Sequence, residues 1–126
     1  MTWLTHPSEY VAAPLKTIDN RRPNILSEIE HSIDLPVLCP HSRNPLAGST
    51  LSIRYTARER ILELFALEAY IQAFVGHPQV RDMEFFVQVV GEECARILGV
   101  PVACVGQILY NGLGMGQTIR VQVATG

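Results

Sequence analysis

Ile25-Leu26-Ser27-Glu28-Ile29-Glu30-His31-Ser32-Ile33-Asp34-Leu35 is the stretch on which the fold turns. Ile25, Ile29, Ile33 and Leu35 share one parity, and Glu28, Glu30, Ser32 and Asp34 share the other. A period of two puts these sets on opposite faces of an extended chain, so this is a strand with one face buried. Leu51, Ile53 and Tyr55 alternate with Ser52 and Arg54 in the same way and predict a second strand. Between them Pro36, Pro40 and Pro45 break any ladder, and the resulting loop holds Cys39-Pro40-His41-Ser42.

Downstream the period becomes helical. Thr56 followed by Glu59 has the form of a capping box and predicts a helix from near Ala57, with Ile61, Leu64, Phe65, Ile71 and Phe74 as its apolar stripe and Gly76 at its end. Pro78 suits the first turn of a second helix, where its missing N–H would have no partner anyway. Val80, Met83, Val87, Val90, Cys94 and Ile97 line the inner face of that helix, and Gly99 closes it. Val102 to Tyr110 predicts a third strand and Asn111-Gly112-Leu113-Gly114 a turn. Ile119, Val121 and Val123 then form the inward face of a fourth strand.

Upstream, residues 1–24 carry Pro7, Pro14 and Pro23 with Asp19-Asn20-Arg21-Arg22 between, and predict an extended arm. The expected organisation is therefore an arm over 1–24 and a domain over 25–126 in the order ββααββ. This is an α+β arrangement: an antiparallel four-stranded sheet with two helices on one face. One sheet face and two edges stay uncovered, and the last strand has neither the proline nor the lysine that blunts an edge. A cyclic homo-oligomer that pairs the edges and closes a barrel answers both needs.

Composition narrows the function. With 126 residues the chain supports one core, and 48% apolar against 17% charged residues gives an unusually dry surface. A net charge of −2 lacks the footprint of a non-specific nucleic-acid binder. No apolar run reaches the roughly 18–20 residues of a membrane span. Met1 to Pro14 shows no signal-peptide pattern, and the 3 cysteines are odd in number with no CxxC spacing, so a cytoplasmic location is expected.

The element order resembles the tunnelling fold (T-fold), a superfamily of ring-forming enzymes that act on purines and pterins. The stretch from about Leu15 onward is similar to the QueF-type nitrile reductases, which reduce cyano-deazaguanine (preQ0) in queuosine synthesis. Ile18-Asp19-Asn20-Arg21-Arg22-Pro23-Asn24 resembles that family's lead-in, and Leu38-Cys39-Pro40-His41-Ser42-Arg43-Asn44-Pro45 resembles its Leu-Cys-Pro loop. Glu63-Leu64-Phe65-Ala66-Leu67-Glu68-Ala69-Tyr70 sits at its NADPH motif, Phe74 and His77 at its Phe-x-Asn-His turn, and Gly112 to Gly116 at its glycine-rich hairpin. The resemblance implies that Cys39 is the nucleophile that attacks the nitrile.

The departures are specific. Leu46 follows Pro45 where the family has the aspartate that donates a proton. Phe65 and Glu68 replace the two lysines of the cofactor motif, and Arg81-Asp82 replaces a His-Glu pair. No cofactor is expected, because phosphates need cationic partners and Glu68 would repel them. Cys39-Pro40-His41-Ser42 and His77-Pro78-Gln79-Val80-Arg81-Asp82 also resemble motifs of the GTP cyclohydrolase IB branch, without its insertion or its distal metal ligands.

The candidate residues follow. Cys39 lies in a loop beside His41 and Arg43, while Cys94 and Cys104 fall on apolar faces. A neighbouring cation lowers a thiol pKa and makes the thiolate available. Asp82 can accept two adjacent hydrogen bonds from a guanine-like edge, or simply favour the dipole of the helix it precedes. Glu63 and Glu84 are further substrate-binding candidates. His77 can relay a proton or cap the helix turn. Cys39 and His41 alone fall short of the three protein ligands a zinc site needs, so no metal is expected. The leading expectation is a T-fold enzyme for a 7-deazaguanine-type heterocycle that amidates or hydrolyses a nitrile. The alternatives are a GTP-cyclohydrolase-like hydrolase, an authentic nitrile reductase, and a non-catalytic binding ring.

Overall fold

The computed structural model describes residues 4–124. The extreme ends of the expected arm and domain, 1–3 and 125–126, lie outside the described residues. The rest forms an α+β structure of two antiparallel sheets and two helices. Four strands, β3 (Ser27–Asp34), β4 (Thr50–Ala57), β6 (Val102–Leu109) and β7 (Gly116–Val123), make one sheet in the order β3-β4-β6-β7. All four arise where the sequence alternates. Register pairs His31 with Ile53, Ile53 with Cys104 and Cys104 with Val121, so the apolar parity of each strand lies on one face.

One helix covers that face, whereas the other packs on the second sheet, so the expected pair of helices on one face is not what forms. The longer one, α2 (Met83–Leu98), packs on β6 and β7 and buries Val87, Val90, Cys94 and Ile97. It ends at Gly99, whose left-handed φ of 69° suits a residue without a Cβ. Tyr70, Phe74 and Phe86 meet edge to face, with centroids 5.1 and 5.3 Å apart, the geometry the ring quadrupole favours. The opposite sheet face carries Glu28, Glu30, Arg54, Gln107, Arg120 and Gln122, and is open as expected.

Three local expectations fail. The arm does not stand apart: β1 (Leu4–His6) and β2 (Leu15–Asp19) join β5 (Arg60–Leu62) in a second sheet, ordered β1-β2-β5. Leu15 and Thr17 are fully buried there, so the arm supplies part of the core. The second correction concerns the capping box of Thr56 and Glu59, which starts no helix. Thr56 is still in β4, the chain turns at Arg58-Glu59, and β5 returns to pair with β2. The first helix, α1 (Leu64–Gln72), begins after Glu63, whose carboxylate accepts from the amides of Phe65 and Ala66. Its buried face is Leu67, Tyr70 and Ile71, while Leu64 and Phe65 stand exposed at 62% and 87%. The third correction is that Pro78 opens no helix. Residues 77–82 form a non-helical link, and Asp82 caps α2 by accepting from the Phe85 amide at 2.7 Å.

Candidate functional site

The Cys39 loop is built by its own backbone. The amides of Leu38 and Cys39 both donate to the Asn44 carbonyl at 2.9 Å, and the Arg43 amide donates to the Cys39 carbonyl at 2.8 Å. Two neighbours pin it. The Gly76 amide donates to the Leu38 carbonyl at 2.7 Å. From the β6–β7 turn, Asn111 donates to the Ser42 carbonyl at 3.0 Å and to Asn44 Oδ1 at 2.6 Å. The loop is therefore fixed at both shoulders, and Cys39 is half-buried between them.

This arrangement sets the acidity of Cys39. The Ser42 hydroxyl and amide, with the His41 amide and the Arg81 guanidinium, stabilise the thiolate and bring the thiol from 9.0 to about 7, against partial desolvation. Burial does the opposite elsewhere. It raises Cys94 well above its usual value and pushes Cys104 up to about 12. The sequence placed both in the core, and they are 0% and 1% exposed.

Cys39 opens onto a cavity of about 240 Å³ lined by His41, Pro78, Val80, Arg81 and His77. Cys39 and His77, far apart in sequence, are thus brought together. His77 is committed to the backbone: its Nδ1 accepts from the amides of Gln79 and Val80 at 3.0 and 2.9 Å. That places the ring proton on Nε2, which donates to the Tyr10 carbonyl at 2.7 Å. His77 therefore caps the link between the helices.

The carboxylate candidates separate. Asp82 is adjacent to Arg81 and is the N-cap of α2. Glu84 accepts from Gln117 Nε2 at 3.2 Å, and Gln117 also bonds the Tyr110 hydroxyl. Desolvation, then the charges of Glu84 and Asp82, raise the Tyr110 phenol pKa, so these groups form one acidic neighbourhood beside the β6–β7 turn. Glu63 is at the start of α1, outside the Cys39 cavity, with its oxygens on helix amides. The larger hollows lie elsewhere: about 560 Å³ between β3 and α1, and about 500 Å³ at one end of the four-stranded sheet. Neither is lined by a thiol, so the chemistry points to the smaller cavity. Among the described residues no three His, Cys, Asp or Glu side chains group as metal ligands.

Two residues were not singled out by the sequence as parts of a site. Arg81 is the guanidinium on the Cys39 cavity. Glu93, 2% exposed, lies between Val90 and Ile97 on the inner stripe of α2. A carboxylate inside an apolar stripe was the available signal. No family model matches the chain, and no curated protein matches it.

Proposed function

We propose that this chain is a T-fold enzyme, resembling QueF-type nitrile reductases, that takes a purine- or pterin-like heterocycle of the 7-deazaguanine type and uses Cys39 as nucleophile. The observation that carries the reading is a thiol held at about 7 on a cavity that also presents Arg81. The four-stranded antiparallel sheet with α2 on one face is what supports the fold assignment.

The thiolate adds to the nitrile carbon, and the nitrile nitrogen takes a proton, forming a thioimidate. His41, exposed on the same cavity, is the proposed donor of that proton. Water or an amine then adds to the same carbon, and the C–S bond breaks to return the thiolate. Water leaves an amide and an amine leaves an amidine. Neither route consumes a hydride, in keeping with Phe65 and Glu68 where the reductases carry lysines. His77 holds the cavity wall, and Asp82 offers its second oxygen to the ring's donors.

The test is intact-mass and binding measurement with cyano-deazaguanine, guanine and pterin. Cyano-deazaguanine should add its own mass to the parent protein, and Cys39→Ala should bind it but form no adduct. Asp82→Asn keeps the oxygen that caps α2 but loses the charge, and should weaken binding by roughly ten- to a hundredfold. If no member of the panel binds the parent protein, the heterocycle reading is wrong.

A further inference from the structure

Glu93 has the most unusual environment among the described carboxylates. It is buried on α2, and its partners are all neutral donors. Tyr70 Oη donates to Oε1 at 2.5 Å, Ser8 Oγ to Oε1 at 2.8 Å, and the Glu9 amide to Oε2 at 3.0 Å. Three donors thus satisfy its two buried oxygens. Two of the donors belong to the N-terminal arm, more than eighty residues away in the chain.

The arm carries the contact onward. Ser8 Oγ also accepts from the amides of Tyr10 and Val11 at 3.1 and 3.2 Å, which fixes the turn that directs the Tyr10 carbonyl. That carbonyl accepts from His77, and His77 in turn holds the amides of Gln79 and Val80. Arg81 is the next residue. On its other side His77 adjoins Gly76, whose amide holds the Leu38 carbonyl beside Cys39. The Tyr10 ring also packs edge-on against Phe85 in the first turn of α2, with centroids 5.8 Å apart.

We propose that Glu93 is a positioning residue for the Cys39 cavity: through Ser8, Tyr10 and His77 it straps the arm across the 77–82 link and holds Arg81 and the Cys39 loop in place. The inference rests on Cys39 being the reacting thiol, but not on the heterocycle or on any reaction. The strap supplies backbone partners to a His-Pro link that is not helical and lies between two helices. It also gives the arm a role in the site that its distance in sequence conceals. The surface pair of Glu9 and Arg96, at 3.2 Å and half exposed, is not what holds it, since such pairs contribute little.

The experiment compares Glu93→Gln and Ser8→Ala with the parent chain. Glu93→Gln turns one acceptor into a donor facing donors. Ser8→Ala removes one link at a less buried site and serves if the first variant does not fold. Hydrogen exchange should rise together at residues 8–11 and 77–80, while the β6–β7 ladder stays protected. Iodoacetamide labelling of Cys39, read as rate against pH, should show its midpoint moving upward, with a roughly twofold or greater fall in rate at pH 7. Arg81→Gln should lower the rate in the parent but add little in either strap variant. The proposal is overturned if the arm exchanges faster while the midpoint of Cys39 stays in place, or if neither segment changes. Failure of every heterocycle to bind would leave these outcomes untouched, so the two readings fail separately.

Discussion

Ionisation separates the three thiols of this chain. A thiol held at about 7 is half ionised at neutral pH, whereas one raised to about 12 is ionised to about one part in 10⁵. The lowering at Cys39 comes from the Ser42 hydroxyl and amide before anything else. Limited iodoacetamide labelling at pH 7, followed by peptide mapping, should therefore find Cys39 modified first. Its rate should climb through pH 7 and level off about one unit above, because the thiolate is the reacting species and is complete only above the pKa. Faster labelling of Cys94 or Cys104 would contradict this assignment. The same residue-scale view explains His77, the expected proton relay. Both ring nitrogens already serve backbone groups, so its contribution is to hold a turn.

At the scale of elements, α2 is the piece on which the site depends. It begins at Asp82 beside Arg81, carries Glu93 at its middle, and lies against β6 and β7. Its seat on the sheet is close. A Cβ at Gly106 of β6 would stand 3.0 Å from Val87 Cγ2 and 3.4 Å from Ile108 Cδ1. Glycine there lets the helix approach the strand. Gly106→Val should destabilise the fold by about 1–3 kcal/mol through overpacking. Urea unfolding should show the lower midpoint with an unchanged slope, and a variant as stable as the parent would mean that α2 is not closely seated. Both helices are also started by carboxylates, Glu63 and Asp82, each spending oxygens on first-turn amides. Acidic residues at helix starts read as binding candidates and as caps alike, and only the folded structure shows that the capping role is filled.

For the whole molecule, the open sheet face and the edge strands β3 and β7 are the features on which the proposed ring rests. The face is polar, with Glu30 opposite Arg54 across β3 and β4. That suits the wall of a water-filled passage better than the core of a second layer. A homo-oligomer closed through β3 and β7 should give a mass several times 14.0 kDa in sedimentation equilibrium at micromolar concentration. A monomer throughout that range would remove the ring from the proposal. Among the described residues no helix is long and apolar enough to cross a membrane.

The sequence by itself determined the elements whose signals are local. Alternation from Ile25 to Leu35, Leu51 to Tyr55 and Thr118 to Val123, with the run Val102 to Tyr110, marks the four strands of the larger sheet, and the apolar stripe from Met83 to Ile97 marks α2. Gly99 marks the end of α2 because the left-handed conformation there favours glycine. Cys39 was legible as the candidate nucleophile because it alone of the three thiols lies in a proline-bounded loop. Only the tertiary structure decided the rest, because the competing interactions are non-local. Thr56 and Glu59 have a helix-start spacing, but pairing of β5 with β2, some forty residues upstream, keeps that segment extended. The arm reads as extended but unpaired, because its prolines obscure strands and the partner of β2 comes later in the chain. Pro78 suits a helix start, yet the Tyr10 carbonyl and the His77 ring fix the link otherwise. Glu93 carries only the mark of a carboxylate inside an apolar stripe and Arg81 none of its own, since what matters in each is a neighbour brought close by folding: the Ser8–Glu9 turn for the first, and the Cys39 thiol for the second.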